Sequence, residues 1–126
     1  NVSQYLQLIR NKPDGFLIIS GDDDLALPVV LAGGAGVISV IGQALPKEFS
    51  QMIRDGLNRK VDTAYKTHFD LMPITSLIFA ENNPAGIKAV LEALDISKSS
   101  VRLPLVQATT ELKSKIVLEL EILGKR

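Results

Sequence analysis

Two parallel β-strands cannot complete a fold by themselves, and this chain reads as carrying one such pair and no third strand. Phe16 to Ser20 (Phe-Leu-Ile-Ile-Ser) is a continuous apolar run of strand length. Gly21-Asp22-Asp23-Asp24 follows with turn chemistry, Leu25 to Ala32 is a short apolar helix ending at Gly33-Gly34, and Gly36 to Val40 (Gly-Val-Ile-Ser-Val) is a second run of strand length. Such runs are expected of strands buried on both faces. The helix and turns between them are near the minimum, about a dozen residues, that a parallel crossover requires. Parallel sheets persist when both faces are covered and their edges are paired or closed. The rest of the 126 residues reads as helix, so the chain is expected to be the C-terminal piece of a larger α/β protein.

Composition removes several function classes. With 46% hydrophobic and 22% charged residues, the chain is globular rather than disordered. Lys+Arg and Asp+Glu both number 14, so there is no electrostatic footprint for nucleic acid or an anionic membrane. Cysteine is absent, which excludes disulfides, thiolate metal sites and thiol catalysis, and is compatible with the cytosol. No basic segment followed by an apolar stretch marks a secretory signal at the start. Residues 25–46 carry no charge and are long enough to span a bilayer. Pro28, Gly33, Gly34, Gly36, Gly42 and Pro46 cut that run into helix, turn and strand, which argues for a buried βαβ unit instead.

Around this unit the pattern is helical. Ser3 is a candidate cap for a first helix with Leu6, Ile9 and Tyr5 toward one face, ended by the turn residues Pro13 and Gly15. Pro46 suits a first helical position, with Phe49, Met52, Ile53 and Leu57 as an apolar stripe. Val61 to about Ala80 reads as a longer helix, with Ala64, His68, Leu71 and Met72 near one stripe and Pro73 expected to kink or break it. Asn82-Asn83-Pro84 starts another helix carrying Ile87, Val90, Leu91 and Leu94. Ser97 to Pro104 is a connector, and Thr109 or Thr110 caps a last helix repeating Leu112, Ile116, Leu120 and Leu123. Glu111 and Lys115, four apart, should pair across one turn. A βαβ unit followed by about four helices fits the end of a closed βα barrel with an appended helical domain, or an open doubly wound sheet.

The candidate site is the strand end at Gly21-Asp22-Asp23-Asp24, the edge where α/β proteins build active sites. In one reading Gly21 lets a ligand approach the backbone and an aspartate becomes a polar contact or metal ligand. In the other, the aspartates cap the following helix and complement its dipole. Consecutive aspartates diverge in direction, which argues against three metal ligands. Gly33-Gly34-Ala35-Gly36 precedes a strand, whereas phosphate loops follow one, so it reads as a helix C-cap and tight turn. Gly42 follows the second strand at the same functional edge. His68, the single histidine, reads as a boundary residue without a serine nucleophile pattern, and Glu81-Asn82-Asn83 as helix termination and capping. The lysines are scattered on polar faces, none on a strand facing a pocket where a desolvated amine could act as nucleophile.

The run Ser20-Gly21-Asp22-Asp23, Leu27-Pro28 and Gly33 to Val40 resembles the dihydrodipicolinate synthase family. Leu71-Met72-Pro73, Glu81-Asn82-Asn83-Pro84 with Lys88, and Arg102-Leu103-Pro104 agree in order and spacing, so the resemblance covers nearly the whole chain. Asn83 departs from it, since the family usually has proline there. The resemblance implies the C-terminal part of a (β/α)8 TIM barrel, its seventh and eighth strands ending at Ser20 and Val40, followed by a helical C-terminal domain. Residues 1–45 would hold the last βα units and 46–126 the helical domain. It implies a cytoplasmic, usually homotetrameric class I aldolase-type lyase of lysine biosynthesis, in which a lysine forms a Schiff base with pyruvate and the enamine attacks aspartate semialdehyde. No further cofactor and no metal would be needed. Gly21 and Ile38 would line the pyruvate pocket, with Asp22 near the second substrate.

The Schiff-base lysine and the proton-relay residues of the family lie upstream of the segment matching Asn1. This chain alone would then be inactive and would depend on the N-terminal barrel segment as partner. The related N-acetylneuraminate lyases tend toward Gly-Tyr-Asp-Glu at the seventh-strand turn, so Ser20-Gly21-Asp22-Asp23 leans toward the dihydrodipicolinate branch. A different class of reading is a non-catalytic helical assembly module, using the apolar faces at Phe49, Leu91 and Leu120 as partner surface.

Overall fold

The computed structural model describes residues 1–125. Helix α1 (Val2–Asn11) leads into strand β1 (Ile19–Ser20), helix α2 (Ala26–Leu31) and strand β2 (Gly36–Val37). A 3-10 turn (Ile41–Gln43) then opens onto α3 (Pro46–Leu57), α4 (Val61–Phe79), α5 (Ala85–Ala93) and α6 (Thr110–Ile122). The strands pair in parallel, Ile19 with Gly36 and Ser20 with Val37. The Ala35 N–H donating to Ile18 at 2.7 Å and the Ile38 N–H donating to Ser20 at 2.8 Å extend the contact on either side.

The strands are shorter than the apolar runs predict, and they are not buried on both faces. Ile18 and Ser20 are buried, whereas Phe16, Leu17, Ile19 and Ile38 are exposed. Side chains alternate across a strand. The Ile18/Ser20 face is therefore the covered one, and α2 packs against both strands. On the opposite face Leu17 and Ile19 are exposed among the described residues.

Local chemistry accounts for the helix limits. Helix α1 is capped by Asn1, whose Oδ1 accepts the Ser3 N–H at 3.0 Å, so the expected cap at Ser3 is displaced by two residues. Only Tyr5 and Ile9 of the expected face are half-buried, four residues apart, and Leu6 is exposed. Helix α2 ends as foreseen: Gly33, at φ +112°, and Gly34 donate to Val30 and Val29 at 3.1 and 2.8 Å. A left-handed φ of this kind favours glycine. Pro46 begins α3 and Thr109 caps α6, its side chain accepting the Leu112 N–H at 3.2 Å.

Helix α4 runs unbroken through Pro73, so of the two expected outcomes, a kink or a break, the break does not occur. Pro73 and Met72 lie on the exposed side, where water can serve the carbonyl that proline leaves without a donor. Leu71 and Ile74, on the other side, keep the helix anchored in the core.

One apolar cluster runs from Leu27 and Val30 of α2 through Ile41, Met52, Ile74 and Ile78 to Val90, Ile116 and Leu120. Phe49 and Leu120 are 4% and 0% exposed and Leu91 is half-buried against the same cluster. These residues are core, which removes the surface on which the assembly-module reading relied. Leu57 and Met72, predicted on core stripes, are exposed instead.

Candidate functional site

The parallel pairing brings the ends of β1 and β2 side by side. The Ile38 N–H donates to the carbonyl of Ser20 at 2.8 Å, and Gly21 continues from that same peptide unit. Gly21 and Ile38, separated in the chain by the whole of α2, thus meet at one edge. Ile38 is 77% exposed, and a Cβ placed on Gly21 would meet nothing within 4 Å. Both are open to whatever lies beyond the strand ends. Gly21 is held from the other side by α1: its N–H donates to the Tyr5 hydroxyl at 3.2 Å.

The three aspartates do three different things. Asp22 is exposed, and its Oδ1 accepts the Asp24 N–H at 3.1 Å in a local turn. Asp24 is also exposed. Partial desolvation, with the neighbouring charges of Asp22 and Asp23, raises its pKa above the ordinary range, while His68 opposes the rise. Asp23 is 4% exposed. Its carboxylate accepts the Val40 N–H at 3.1 Å and the Ile41 N–H at 2.9 Å, with a longer 3.3 Å contact from Val40 to the other oxygen.

The expected capping of α2 by these carboxylates is not what forms. Leu25 stands at the N-cap of α2 without a side-chain bond. Asp23 instead caps a segment far along the chain: Val40 precedes the 3-10 turn at Ile41 and offers no side-chain cap of its own. A buried anion facing two convergent N–H donors satisfies groups that would otherwise be orphaned, with charge-assisted bonds. Ser20, fully buried, completes the arrangement: its Oγ donates to the Asp22 carbonyl at 2.9 Å and accepts the Asp22 N–H at 3.2 Å.

Sequence reasoning missed the Tyr5 contact and the role of Asp23. A signal for part of the scaffold was present in Ser20, a hydroxyl ending an otherwise apolar strand, which must find a hydrogen bond when buried. Nothing local could show that Asp23 bonds seventeen residues onward.

The other candidates separate from this edge. Gly42 donates its N–H to Ser39 Oγ at 2.8 Å and lines a groove of about 400 Å³ between β2 and α3, with Gly36, Phe49 and Ile53. His68 is half-buried on α4, edge-on to Tyr65 with centroids 5.9 Å apart. Burial lowers its pKa and Asp24 acts in the opposite direction. Glu81 does more than terminate a helix, since its carboxylate accepts the Thr109 N–H at 2.8 Å and the Thr109 hydroxyl at 2.5 Å, tying the end of α4 to the start of α6. Among the described residues, no group of three or more His, Asp or Glu is placed to hold a metal ion, and no helix is long and apolar enough to cross a membrane.

Comparison with known proteins gives a consistent result. The family model of the dihydrodipicolinate synthetase family matches residues 1–123. The 4-hydroxy-tetrahydrodipicolinate synthase of Flavobacterium psychrophilum is 50% identical over 125 residues, covering 99% of this chain and 43% of that protein. The enzyme of the same name from Karelsulcia muelleri is 41% identical over 94% of this chain and 40% of its own length. The crystal structure of dihydrodipicolinate synthase from Aquifex aeolicus superposes with a TM-score of 0.93 at 29% identity, covering 98% of this chain and 42% of that one. The chain therefore spans about two-fifths of the length of the relatives it matches, and corresponds to their C-terminal part.

Proposed function

This chain belongs to the dihydrodipicolinate synthetase family, and from that membership we propose that it forms the last two strand ends and the helical domain of a pyruvate-dependent lyase. The complete protein would condense pyruvate with aspartate semialdehyde for lysine biosynthesis, assembled as a homo-oligomer. Residues 1–45 are the closing βα units of a (β/α)8 barrel and residues 46–126 the helical domain.

The observation that carries this reading is the shared edge of β1 and β2. Gly21 and Ile38 stand together at the C-terminal ends of parallel strands, the end at which barrel enzymes place their sites. The bare face at Leu17, Ile19 and Ile38 is the surface that earlier strands of a closed barrel would cover. Gly21 leaves backbone open to pyruvate, Ile38 supplies an apolar wall, and Asp22 lies exposed on the side from which a second substrate would enter.

The nucleophile belongs to the rest of the protein. A Schiff-base lysine must lose its proton, which requires a desolvated or cation-flanked amine in a pocket. The lysines here that make side-chain bonds do structural work instead: Lys12 donates to the Phe16 carbonyl at 3.0 Å, Lys66 pairs with Asp70 and Lys115 with Glu111.

The test uses the complete polypeptide that contains this chain. Treatment with pyruvate and borohydride, followed by peptide mapping, should place one reduced adduct on a lysine outside residues 1–126. An adduct on a lysine within this chain, or none at all, would refute the proposal.

A further inference from the structure

Resting on the pyruvate-site reading above, we infer that Asp23 is a positioning residue for that site, its buried carboxylate fixing the strand end that presents Ile38.

Ile38 cannot position itself. Within this chain it is 77% exposed, so among the described residues it is held chiefly through the backbone on either side. Upstream and alongside, its N–H is bonded to Ser20 at 2.8 Å. Two residues downstream, the Val40 and Ile41 N–H groups end on Asp23 at 3.1 and 2.9 Å. Beyond Ser39 the buried Ile41 fixes the segment by packing, and the Asp23 carboxylate adds the directional bonds that set the Val40 and Ile41 amides.

Asp23 is itself rigidly placed. The residue before it is fastened through its N–H and carbonyl to the buried Ser20 hydroxyl. On its other side, its own carbonyl accepts the Ala26 N–H at 3.3 Å. One short loop thus takes its orientation from the end of β1 and imposes it on the end of β2. The residues it registers, Gly21 and Ile38, are those proposed to line the pocket.

The chemistry favours a carboxylate. Two backbone donors converge on Asp23, and an ionised carboxyl group is acceptor-only. Both amides donate to the same carboxylate oxygen, Val40 at 3.1 Å and Ile41 at 2.9 Å, and Val40 reaches the other oxygen at 3.3 Å. A carboxamide oxygen in the first place can still accept both, so Asp23→Asn acts by removing the charge assistance from both bonds and by setting its NH2 against the Val40 N–H. Displacement of a substrate-positioning wall by about 1 Å can reduce rates on the order of a hundredfold. A partial loosening should therefore be visible as about a tenfold loss.

The experiment is steady-state kinetics of the complete polypeptide carrying Asp23→Asn, beside the parent and Asp24→Asn, which removes an adjacent carboxylate that makes no such bonds. Asp23→Asn should raise the pyruvate KM about tenfold while the aspartate semialdehyde KM stays within about twofold, and Asp24→Asn should leave the pyruvate KM near the parent's. A lower kcat with both KM values unchanged would mean only a smaller folded fraction, and would overturn the inference. So would an equal effect from Asp24→Asn. A parent with no pyruvate-dependent turnover would defeat the functional reading and this inference together, whereas an active parent with an unaffected Asp23→Asn defeats the inference alone. Should Asp23→Asn fail to fold, hydrogen exchange on the parent decides: pyruvate should slow exchange at the Val40 and Ile41 amides, and unchanged exchange would overturn the assignment.

Discussion

The close approach between α4 and α5 is made possible by Gly86, and substitution there should be the costliest single-methyl change in the chain's helical part. A Cβ on Gly86 would stand 2.0 Å from the carbonyl oxygen of Ile78, 2.6 Å from its carbonyl carbon and 2.8 Å from its Cα. Cβ atoms essentially never come within 3.0 Å of another atom, so the overlap with the oxygen is about 1 Å. All three obstructing atoms are backbone, in a helix whose Ile74 and Ile78 are fully buried. No rotamer change relieves the clash, and α5 must move bodily away from α4, loosening Ile87 and Val90 in the core.

Overpacking of this kind costs about 1–3 kcal/mol and sometimes more, and the helix-propensity gain of alanine over glycine returns at most about 1 kcal/mol. A net loss of about 2 kcal/mol is expected for Gly86→Ala, from the upper end of the overpacking cost less the propensity gain, because the obstacle cannot rotate away. Gly56→Ala provides the comparison. Its Cβ would meet Leu27 Cδ1 at 2.7 Å and Val30 Cγ1 at 3.3 Å, the ends of side chains. There the propensity gain within the helix should offset most of the cost, leaving a net change within about 1 kcal/mol. Denaturant unfolding of the complete polypeptide carrying each variant separates the two. A Gly86→Ala stability within about 0.5 kcal/mol of the parent, or a larger loss from Gly56→Ala, would refute the packing argument.

Three further outcomes follow from other parts of the chain. Thr109→Ala removes the cap on Leu112 and the hydroxyl donor to Glu81 while keeping the backbone one, and should cost about 1 kcal/mol in denaturant unfolding, whereas Thr109→Ser should retain stability; equal losses would show that the hydroxyl is not the active feature. Glu92 is held down to about 2, from an ordinary value near 4.5, first by the Lys113 ammonium and then by the Ser99 donors. Its contribution is therefore present above about pH 4.5 and lost as the pH falls toward 2, so NMR titration should find Glu92 ionised at about pH 3.5 in the parent and substantially protonated there in Lys113→Met. A midpoint near 4.5 in the parent would remove the Lys113 argument. Expressed alone, the 126-residue chain should self-associate through the bare face at Leu17, Ile19 and Ile38, and a monodisperse monomer in sedimentation would contradict that expectation.

Periodicity made the helical half legible, because there the signal is local. Pro46 at a helix start, Thr109 as a cap, and the stripes Met52–Ile53, Ile87–Val90 and Leu112–Ile116–Leu120 depend on residues within one or two turns. The parallel pair was legible for the same reason, as was the glycine stop after α2. The misjudged positions turn on surroundings that pattern does not encode. Pro73 sits on a solvent-facing side where its lost hydrogen bond is cheap, and the apolar runs of β1 and β2 suggest burial on a face that this chain leaves open. Asp23 was the least legible of all. Three aspartates after a strand predict capping of the next helix, but a carboxylate serves the nearest unsatisfied donors in space, and here those were the amides of Val40 and Ile41.

The two halves of the chain differ in what holds them, and the difference falls at the proposed site. Helices α3 to α6 bury a continuous core, and among the described residues no buried side-chain polar atom is without a hydrogen-bond partner. The β1–β2 wall has one covered face, a ladder of two residue pairs and an apolar surface bare to solvent. Within this chain apolar packing acts on that wall from one side only, and polar bonds act beside it. The Tyr5 hydroxyl at Gly21, the Ser20 hydroxyl at Asp22 and the Asp23 carboxylate at Val40 and Ile41 supply them, each joining backbone to a side chain from a neighbouring segment. Hydrogen bonds are directional where apolar contacts are not. The strand edge proposed to hold Gly21 and Ile38 in register for a ligand is the place where that directionality would have a use.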